Sequence, residues 1–194
     1  DYELIQQFSE VEVSGLNAVS KYASSILLKY ILDTQKINLT NINVLTTYDI
    51  VNYMTIDSSS RRNLELTENI KEKSKKGSLI WVLDKTSTTM GGRTLRKWIE
   101  EPLISLKDIN DRLDSVDELF DDIYFTDELR DLLKNIYDIE RIVGKISNKN
   151  VNAKDLVSLN NSLKKLPEIK EKLSTCKSEL LSSWYEKLDT LEDI

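Results

Sequence analysis

Glycine and proline are scarce in this chain, and that scarcity limits the folds open to it. The 194 residues include 5 glycines and 2 prolines, whereas average usage would give roughly 14 and 10. Turn-rich β-sandwiches and β-barrels need more of both residues, so the composition favours helices. Because 40% of the residues are hydrophobic, the chain also has enough apolar surface to build a core.

Apolar residues recur at helical spacing along most of the sequence. A first helix is predicted from about Leu16 to about Leu32, and a last apolar stripe continues from Ile169 to Leu191. Four further helix starts are predicted from capping side chains or a first-turn proline: Ser105, Thr126, Asn152 and Pro167. We expect the last helical pattern to run on beyond Ile194, as in a piece of a larger protein.

Two short stretches depart from the helical pattern. Residues 38–49 are expected to form an extended connector, because they mix β-branched side chains with Asn and Thr. Alternating residues predict a short β element between Tyr53 and Ile56. The connections between the predicted helices are short, so consecutive helices should pack antiparallel. The predicted fold is therefore mainly α, an array of antiparallel helices with one short β element.

The residue types that the chain lacks argue against several kinds of chemistry. It contains no histidine, which excludes a histidine-based triad and the commonest metal ligand. Its single cysteine, Cys176, cannot form an intrachain disulfide and is expected to be a small core residue. The only glycine pair, Gly91–Gly92, is not part of a phosphate-binding loop motif. We therefore predict no catalytic, cofactor or metal site and, without a membrane-length apolar run, a cytoplasmic location.

Charge is distributed unevenly along the chain. Residues 1–60 carry a net charge of −4, residues 61–100 of +5 and residues 101–194 of −7. The basic segment contains four closely spaced lysines, Lys71, Lys73, Lys75 and Lys76, near Gly77. Such a cluster can contact a polyanion, although a solvated loop is the other interpretation. The overall pI of about 4.9 argues against a dedicated nucleic-acid binder.

Several motifs, in order along the chain, resemble those of one known family. They are Asp33-Thr34-Gln35-Lys36, Ile56-Asp57 through Arg61-Arg62-Asn63-Leu64-Glu65-Leu66, Leu83-Asp84-Lys85-Thr86, Met90-Gly91-Gly92-Arg93 through Trp98, Glu101-Pro102-Leu103, Asp138-Ile139-Glu140-Arg141-Ile142, Asp155-Leu156 and Leu166-Pro167-Glu168. Together they are similar to the core domain of the MutS family of bacterial DNA mismatch-recognition ATPases. The match runs from about Gly15 to Leu191.

The resemblance implies a division of the chain and a role for it. Residues 1–14 would be the tail of the connector domain, and residues 15–194 the first part of the core domain, ending before the lever and clamp. In this family the full-length protein is a clamp-shaped dimer that encircles DNA, senses a mismatch and exchanges ADP for ATP. The implied parent is a homodimeric ATPase that uses ATP, ADP and Mg²⁺ and works with mismatched double-stranded DNA and MutL.

The resemblance also implies which residues matter here. The family's mismatch wedge lies upstream and its Walker A loop downstream, so no mismatch-contacting or ATP-binding residue carries over. The matching residues should instead form a structural core motif: Asp57, Arg61, Arg62, Asn63, Leu64, Glu65, Gly91, Gly92, Arg93, Asp138, Glu140 and Arg141. We expect Leu64 and Leu66 to enter the core, and Arg62→Ala to destabilise the chain by more than about 1 kcal/mol.

Three functions are compatible with these observations. The first is an interdomain relay, a rigid helical body that transmits ATP and mismatch states between distant domains. The second is a direct DNA-backbone-binding module that uses the basic stretch 61–97. The third is a generic helical adaptor, which rests on the amphipathic pattern alone.

Overall fold

The computed structural model describes residues 5, 8, 13, 15–35, 42, 45 and 52–191. The chain forms two compact units, residues 1–50 and residues 51–194, and each is described by itself. The predicted domain boundary between residues 14 and 15 falls within the first unit and stays a prediction. The connector predicted over residues 38–49 lies outside the described residues, except for Ile42 and Leu45.

The described residues of the first unit include one long helix, α1 (Ala18–Gln35). It begins after Asn17, whose side-chain oxygen accepts a hydrogen bond from the Ser20 backbone N–H at 2.8 Å. One buried side chain of α1, Leu28, packs in a cluster with Ile5 and Phe8. The opposite apolar residues of α1 are exposed to solvent: Val19, Tyr22, Ile26, Leu27 and Tyr30.

The second unit begins with a β-bridge and three helices. Tyr53 pairs with Leu103 in an isolated antiparallel bridge, and the Met54 N–H donates to the Pro102 carbonyl at 2.8 Å. The β element predicted between Tyr53 and Ile56 is therefore present as a single bridge. The three helices are α2 (Ser58–Asn63), α3 (Leu79–Leu83) and α4 (Thr89–Glu100).

Six further helices, joined by short turns, follow between residues 106 and 187. They are α5 (Leu106–Asp121), α6 (Ile123–Leu133), α7 (Ile139–Ser147), α8 (Ala153–Leu163), α9 (Leu166–Leu173) and α10 (Glu179–Lys187). The closest packing is between α5 and α6, α7 and α8, α9 and α10, α6 and α9, and α5 and α10. The mainly helical fold predicted from the sequence is confirmed.

The apolar core of this unit lies among α5, α6, α9 and α10. Ile169, Leu173 and Leu181 are buried at its centre. Partly buried neighbours pack around them: Leu119, Leu129, Leu132, Leu133, Ile136, Cys176 and Leu188. Cys176 is thus a small packing residue, and burial raises the pKa of its thiol.

One predicted helix start is wrong. The helix expected to start at Thr126 starts at Ile123, because the Asp122 carboxylate caps it by accepting from the Phe125 N–H at 2.9 Å. The last apolar stripe, from Ile169 to Leu191, covers two helices, α9 and α10, which are separated by residues 174–178. The predicted starts at Ser105, Asn152 and Pro167 agree with α5, α8 and α9. Among the described residues, no helix is both long and apolar enough to cross a membrane.

Candidate functional site

Asp57 fixes the start of α2. Its carboxylate accepts hydrogen bonds from the backbone N–H groups of Ser59 at 2.8 Å and Ser60 at 3.0 Å, and from the Ser60 hydroxyl at 2.6 Å. These bonds, led by the one from the Ser60 hydroxyl, lower the pKa of the Asp57 carboxyl. An aspartate at this position is the ordinary N-cap of a helix.

Of the two neighbouring arginines, it is Arg61 that connects separate elements. Its Nε donates to the Ile56 carbonyl at 3.1 Å, and its Nη2 donates to the Glu100 carbonyl at 3.4 Å. Glu100 is the last residue of α4, so Arg61 places a positive charge at the negative end of that helix. Arg61 therefore links the α2 region to the C-terminus of α4.

Arg62 has a different position from the one expected. Its side chain is exposed, and within residues 52–191 it makes no hydrogen bond or ion pair. Successive helical residues point about 100° apart, so the two arginines cannot both face α4. The prediction that Arg62 is the stabilising clamp is therefore not supported by its contacts. Asn63 is likewise exposed.

The turn after α2 supports the start of α3. Glu65 adopts a positive φ of 48°, and its carbonyl accepts from the Leu79 N–H at 2.9 Å. The next carbonyl, that of Leu66, accepts from the Ile80 N–H at 3.0 Å. Two backbone donors at the beginning of α3 are thereby satisfied. Leu66 is buried as expected, but Leu64 is 64% exposed and does not enter the core.

The basic loop between α2 and α3 is organised around Asn69. Its side-chain nitrogen donates to the Lys76 carbonyl at 2.7 Å and to the Ser74 hydroxyl at 3.1 Å. Lys75 forms an ion pair with Asp84 at 2.5 Å, and this contact, followed by bonds from Thr86, lowers the pKa of Asp84 to about 2. One of the four clustered lysines is thus paired within the chain.

The glycine pair lies in the first turn of α4. The Thr88 hydroxyl caps this helix by accepting from the Gly91 N–H at 2.9 Å. A β-carbon added at Gly91 would come within 3.0 Å of that hydroxyl oxygen, and one at Gly92 within 3.4 Å of the Thr86 hydroxyl. The space beside Gly91–Gly92 is therefore occupied by the side chains of the preceding threonines.

Arg93 joins α4 to the beginning of α7. Its guanidinium donates to both carboxylate oxygens of Asp138, at 2.7 and 2.8 Å, and to Glu140 at 2.6 Å. The Thr89 hydroxyl donates to Asp138 at 3.2 Å. We call Thr89, Arg93, Asp138 and Glu140 the Arg93 junction. The guanidinium holds the pKa of Asp138 well below its usual range, and the two carboxylates raise the pKa of Arg93.

Asp138 has a second contact in the same place. Its carboxylate accepts from the Arg141 N–H at 3.2 Å and so caps α7. The Arg141 side chain itself is exposed. The structure thus brings Arg93, Asp138 and Glu140 together, and it places the 57–66 motif at another junction, at the C-terminal end of α4.

Two further interhelix contacts were not anticipated from the sequence. Arg112 on α5 stacks over the Trp98 ring on α4 at 3.7 Å from the ring centroid, and burial lowers its pKa. Glu118 on α5 accepts from the backbone N–H groups of Lys177 at 2.6 Å and Ser178 at 2.8 Å. Burial alone would raise the pKa of Glu118, but these hydrogen bonds lower it. No local motif marks either pair.

An apolar groove of about 560 Å³ lies between residues 85–91 and the helices α5 and α6. Phe120 and Ile123 are among its lining residues and are 76% and 67% exposed. Among the described residues, no group of three or more histidine, cysteine, aspartate and glutamate side chains is arranged to hold a metal ion. The assembled features of the site are interhelix junctions.

These junctions and the helical fold define a helical structural domain. Residues 59–193 match the family described as MutS domain III. The chain belongs to this MutS domain III family.

Named relatives share almost the whole chain. The DNA mismatch repair protein MutS of Clostridium beijerinckii is 66% identical over 192 residues, which are 99% of this chain and 21% of that protein. The MutS proteins of Clostridium botulinum and Clostridium perfringens are 65% and 57% identical over 99% and 98% of the chain. The chain therefore spans about a fifth of the length of these relatives.

Proposed function

We propose that this chain is the core segment of a MutS-type DNA mismatch repair protein. Its function there is to link the mismatch-binding, connector, clamp and ATPase domains and to relay conformational change among them. The main support for this proposal is that polar contacts at Arg61 and Arg93 connect helices of a domain that matches MutS domain III. Such junctions can fix the relative positions of helices and pass a displacement from one helix to the next.

The activity of the whole protein would lie in several of its parts. ATP and Mg²⁺ would be bound elsewhere in the full-length protein, since this chain contains no phosphate-binding loop motif. Mismatched double-stranded DNA, MutL and a second copy of the protein would be partners of that full-length protein. The contribution of this chain would be mechanical, and its junctions would set how the attached domains move.

A chimera tests the proposal. The segment of the Clostridium beijerinckii protein that matches this chain, 192 residues long, is replaced by this chain, and the chimera is expressed in cells that lack their own MutS. We expect the spontaneous mutation frequency to fall to the level given by the unaltered relative. A frequency that stays at the level of the deficient cells, with the chimera folded and expressed, contradicts the proposal.

Two variants then test whether the chain transmits conformational change or only holds the protein together. Arg61→Ala removes the α2–α4 link, whereas Arg62→Ala removes the same charge from an exposed neighbour. In the purified chimera we expect Arg61→Ala to reduce the stimulation of ATP hydrolysis by mismatched DNA, with hydrolysis in the absence of DNA retained. Equal stimulation in both variants would remove the support for a relay through this junction.

A second candidate function rests on the basic stretch 61–97. Lys71, Lys73 and Lys76 are exposed, and Arg62, which is also exposed, lines a surface pocket together with Lys73. Lysines that neutralise DNA phosphates make binding weaken with salt, with a slope proportional to the number of phosphates contacted.

Fluorescence anisotropy of labelled duplexes tests this candidate. The isolated chain is titrated against matched and mismatched DNA at low and moderate salt. The relay proposal expects no preference for the mismatch and little binding at moderate salt. A strong, salt-dependent affinity that falls in a triple Lys→Ala variant at positions 71, 73 and 76 would favour the DNA-binding function.

A further inference from the structure

The helices α7 and α8 form a hairpin, and the connection that enters it contacts the last turn of α8. Residues 134–138 lead from α6 into α7, and residues 164–165 lead from α8 into α9. The Tyr137 N–H donates to the Ser162 hydroxyl oxygen at 2.9 Å, and that hydroxyl donates to the Ser158 carbonyl at 2.9 Å. Ser162 is fully buried. We call this contact between Tyr137 and Ser162 the pivot of the hairpin.

The hairpin is internally well connected. The closely packed partner of α7 is α8, and Lys145 on α7 reaches both carboxylate oxygens of Asp155 on α8 at 2.9 Å. Asp155 also completes a capping box with Asn152 at the start of α8. These contacts favour movement of the two helices as one body.

The hairpin contacts α4 through polar side chains, whereas the core helices contact one another through apolar packing. The members of the central apolar cluster lie on α5, α6, α9, α10 and the adjoining turns. The closely packed partner of α4 is α3. The contacts between α4 and the hairpin include those of the Arg93 junction, in which Arg93 is 50% exposed, Glu140 72% and Asp138 19%. Exposed ion pairs weaken as salt is added, whereas apolar packing does not.

We propose that the α7–α8 hairpin turns as one body about the pivot, and that the Arg93 junction is an ionic lock that fixes its angle relative to α4. Asp138 is the next residue after Tyr137, so the lock acts directly beside the pivot. A small opening there is amplified along the hairpin. The 11 residues of α8 span about 16 Å, so a turn of about 30° would move the far end by about 8 Å. This proposal does not depend on the proposed function.

The angle of the hairpin can be measured with a pair of spin labels. One label is placed on α4 through Thr94→Cys and the other at the far end of the hairpin through Lys154→Cys, both exposed positions. The native cysteine is removed with Cys176→Ala. Pulsed electron–electron double resonance then gives the distribution of distances between the two labels in the full 194-residue chain.

Two α4 arginines provide a matched comparison. Arg93 and Arg96 are 50% and 49% exposed, but Arg96 pairs with Glu100 within its own helix. Arg93→Gln should add a second population whose distance differs by up to about 8 Å, and Arg96→Gln should leave one narrow population. In the unsubstituted pair, about 1 M salt, at which screening acts over about 3 Å, should produce the same second population.

A reference pair separates opening of the hairpin from general loosening. Labels through Asp117→Cys on α5 and Glu186→Cys on α10 report two closely packed helices, and their distance should not change. The proposal is overturned if Arg93→Gln and Arg96→Gln give the same distribution, or if the reference pair broadens equally with salt. Should Arg93→Gln fail to fold by circular dichroism, the salt series decides, and an unchanged distance at about 1 M salt overturns the proposal.

Discussion

Replacing Arg61 should cost considerably more stability than replacing its neighbour Arg62. In Arg61→Ala the carbonyl groups of Ile56 and Glu100 each lose a charged donor, at 3.1 and 3.4 Å. Hydrogen bonds to charged groups contribute about 1.5–3 kcal/mol each when short and buried. Because the second bond is long and the side chain is only half-buried, we expect a loss of about 2 kcal/mol in total.

The exposed Arg62 provides the control. Its side chain makes no contact of this kind within residues 52–191, so Arg62→Ala should change the free energy of unfolding by less than about 0.5 kcal/mol. Both variants lose one positive charge from the same helix, which cancels effects of net charge. A difference between them therefore reports the link between α2 and α4.

Urea unfolding followed by tryptophan fluorescence is a suitable assay. The three tryptophans, Trp81, Trp98 and Trp184, all lie in the second unit, so the signal reports the unit that contains Arg61. A loss of about 2 kcal/mol corresponds to a fall of roughly 4–8 °C in melting temperature for a unit of this size. Equal losses in the two variants, or a larger loss for Arg62→Ala, would refute the assignment of the link to Arg61.

Three further predictions concern caps, charge and glycines. Asn152→Ala removes the capping box of α8 and should cost about 1 kcal/mol in urea unfolding. Asp84 has a folded-state pKa of about 2, lowered from 3.8 by Lys75. Its stabilising contribution is therefore present above about pH 4 and is lost towards pH 2. Asp84→Asn should remove this part of the acid dependence of the melting temperature. Gly144→Ala should stabilise α7 by about 0.5–1 kcal/mol, because its new methyl group meets no atom within 4 Å. Gly91→Ala should not stabilise α4, since its methyl group meets the Thr88 hydroxyl at 3.0 Å, and a gain equal to that of Gly144→Ala would contradict this view of the packing.

Helix starts were predicted correctly where the sequence offers a single capping side chain. Ser105 and Asn152 each accept from the backbone N–H three residues later, as their spacing indicated. Thr126 was misleading because Asp122, four residues earlier, caps α6 first. The Thr126 hydroxyl instead donates to the Leu119 carbonyl at 2.5 Å. Competition between nearby caps is decided by packing, which a local pattern does not contain.

The pairings that form the site could not be predicted from local spacing. Arg93 lies 45 residues from Asp138 and Arg61 lies 39 residues from Glu100, so each contact depends on where separate helices meet. Either Arg61 or Arg62 could have been the residue that contacts α4, and only the position of α4 in the folded chain shows that it is Arg61. Family resemblance pointed to the motif region, but it did not indicate which side chains in it make contacts.

The second unit combines two kinds of connection, and their difference bears on function. Apolar packing holds α5, α6, α9 and α10 together around Leu181, and such packing tolerates little relative movement. Directional polar contacts hold α2 to α4 through Arg61, and α4 to α7 through Arg93. Polar contacts of this kind can break and re-form without exposing a core, because water satisfies the separated groups. A relay that must move repeatedly would place its movable joints at the polar contacts and its rigid body at the apolar cluster.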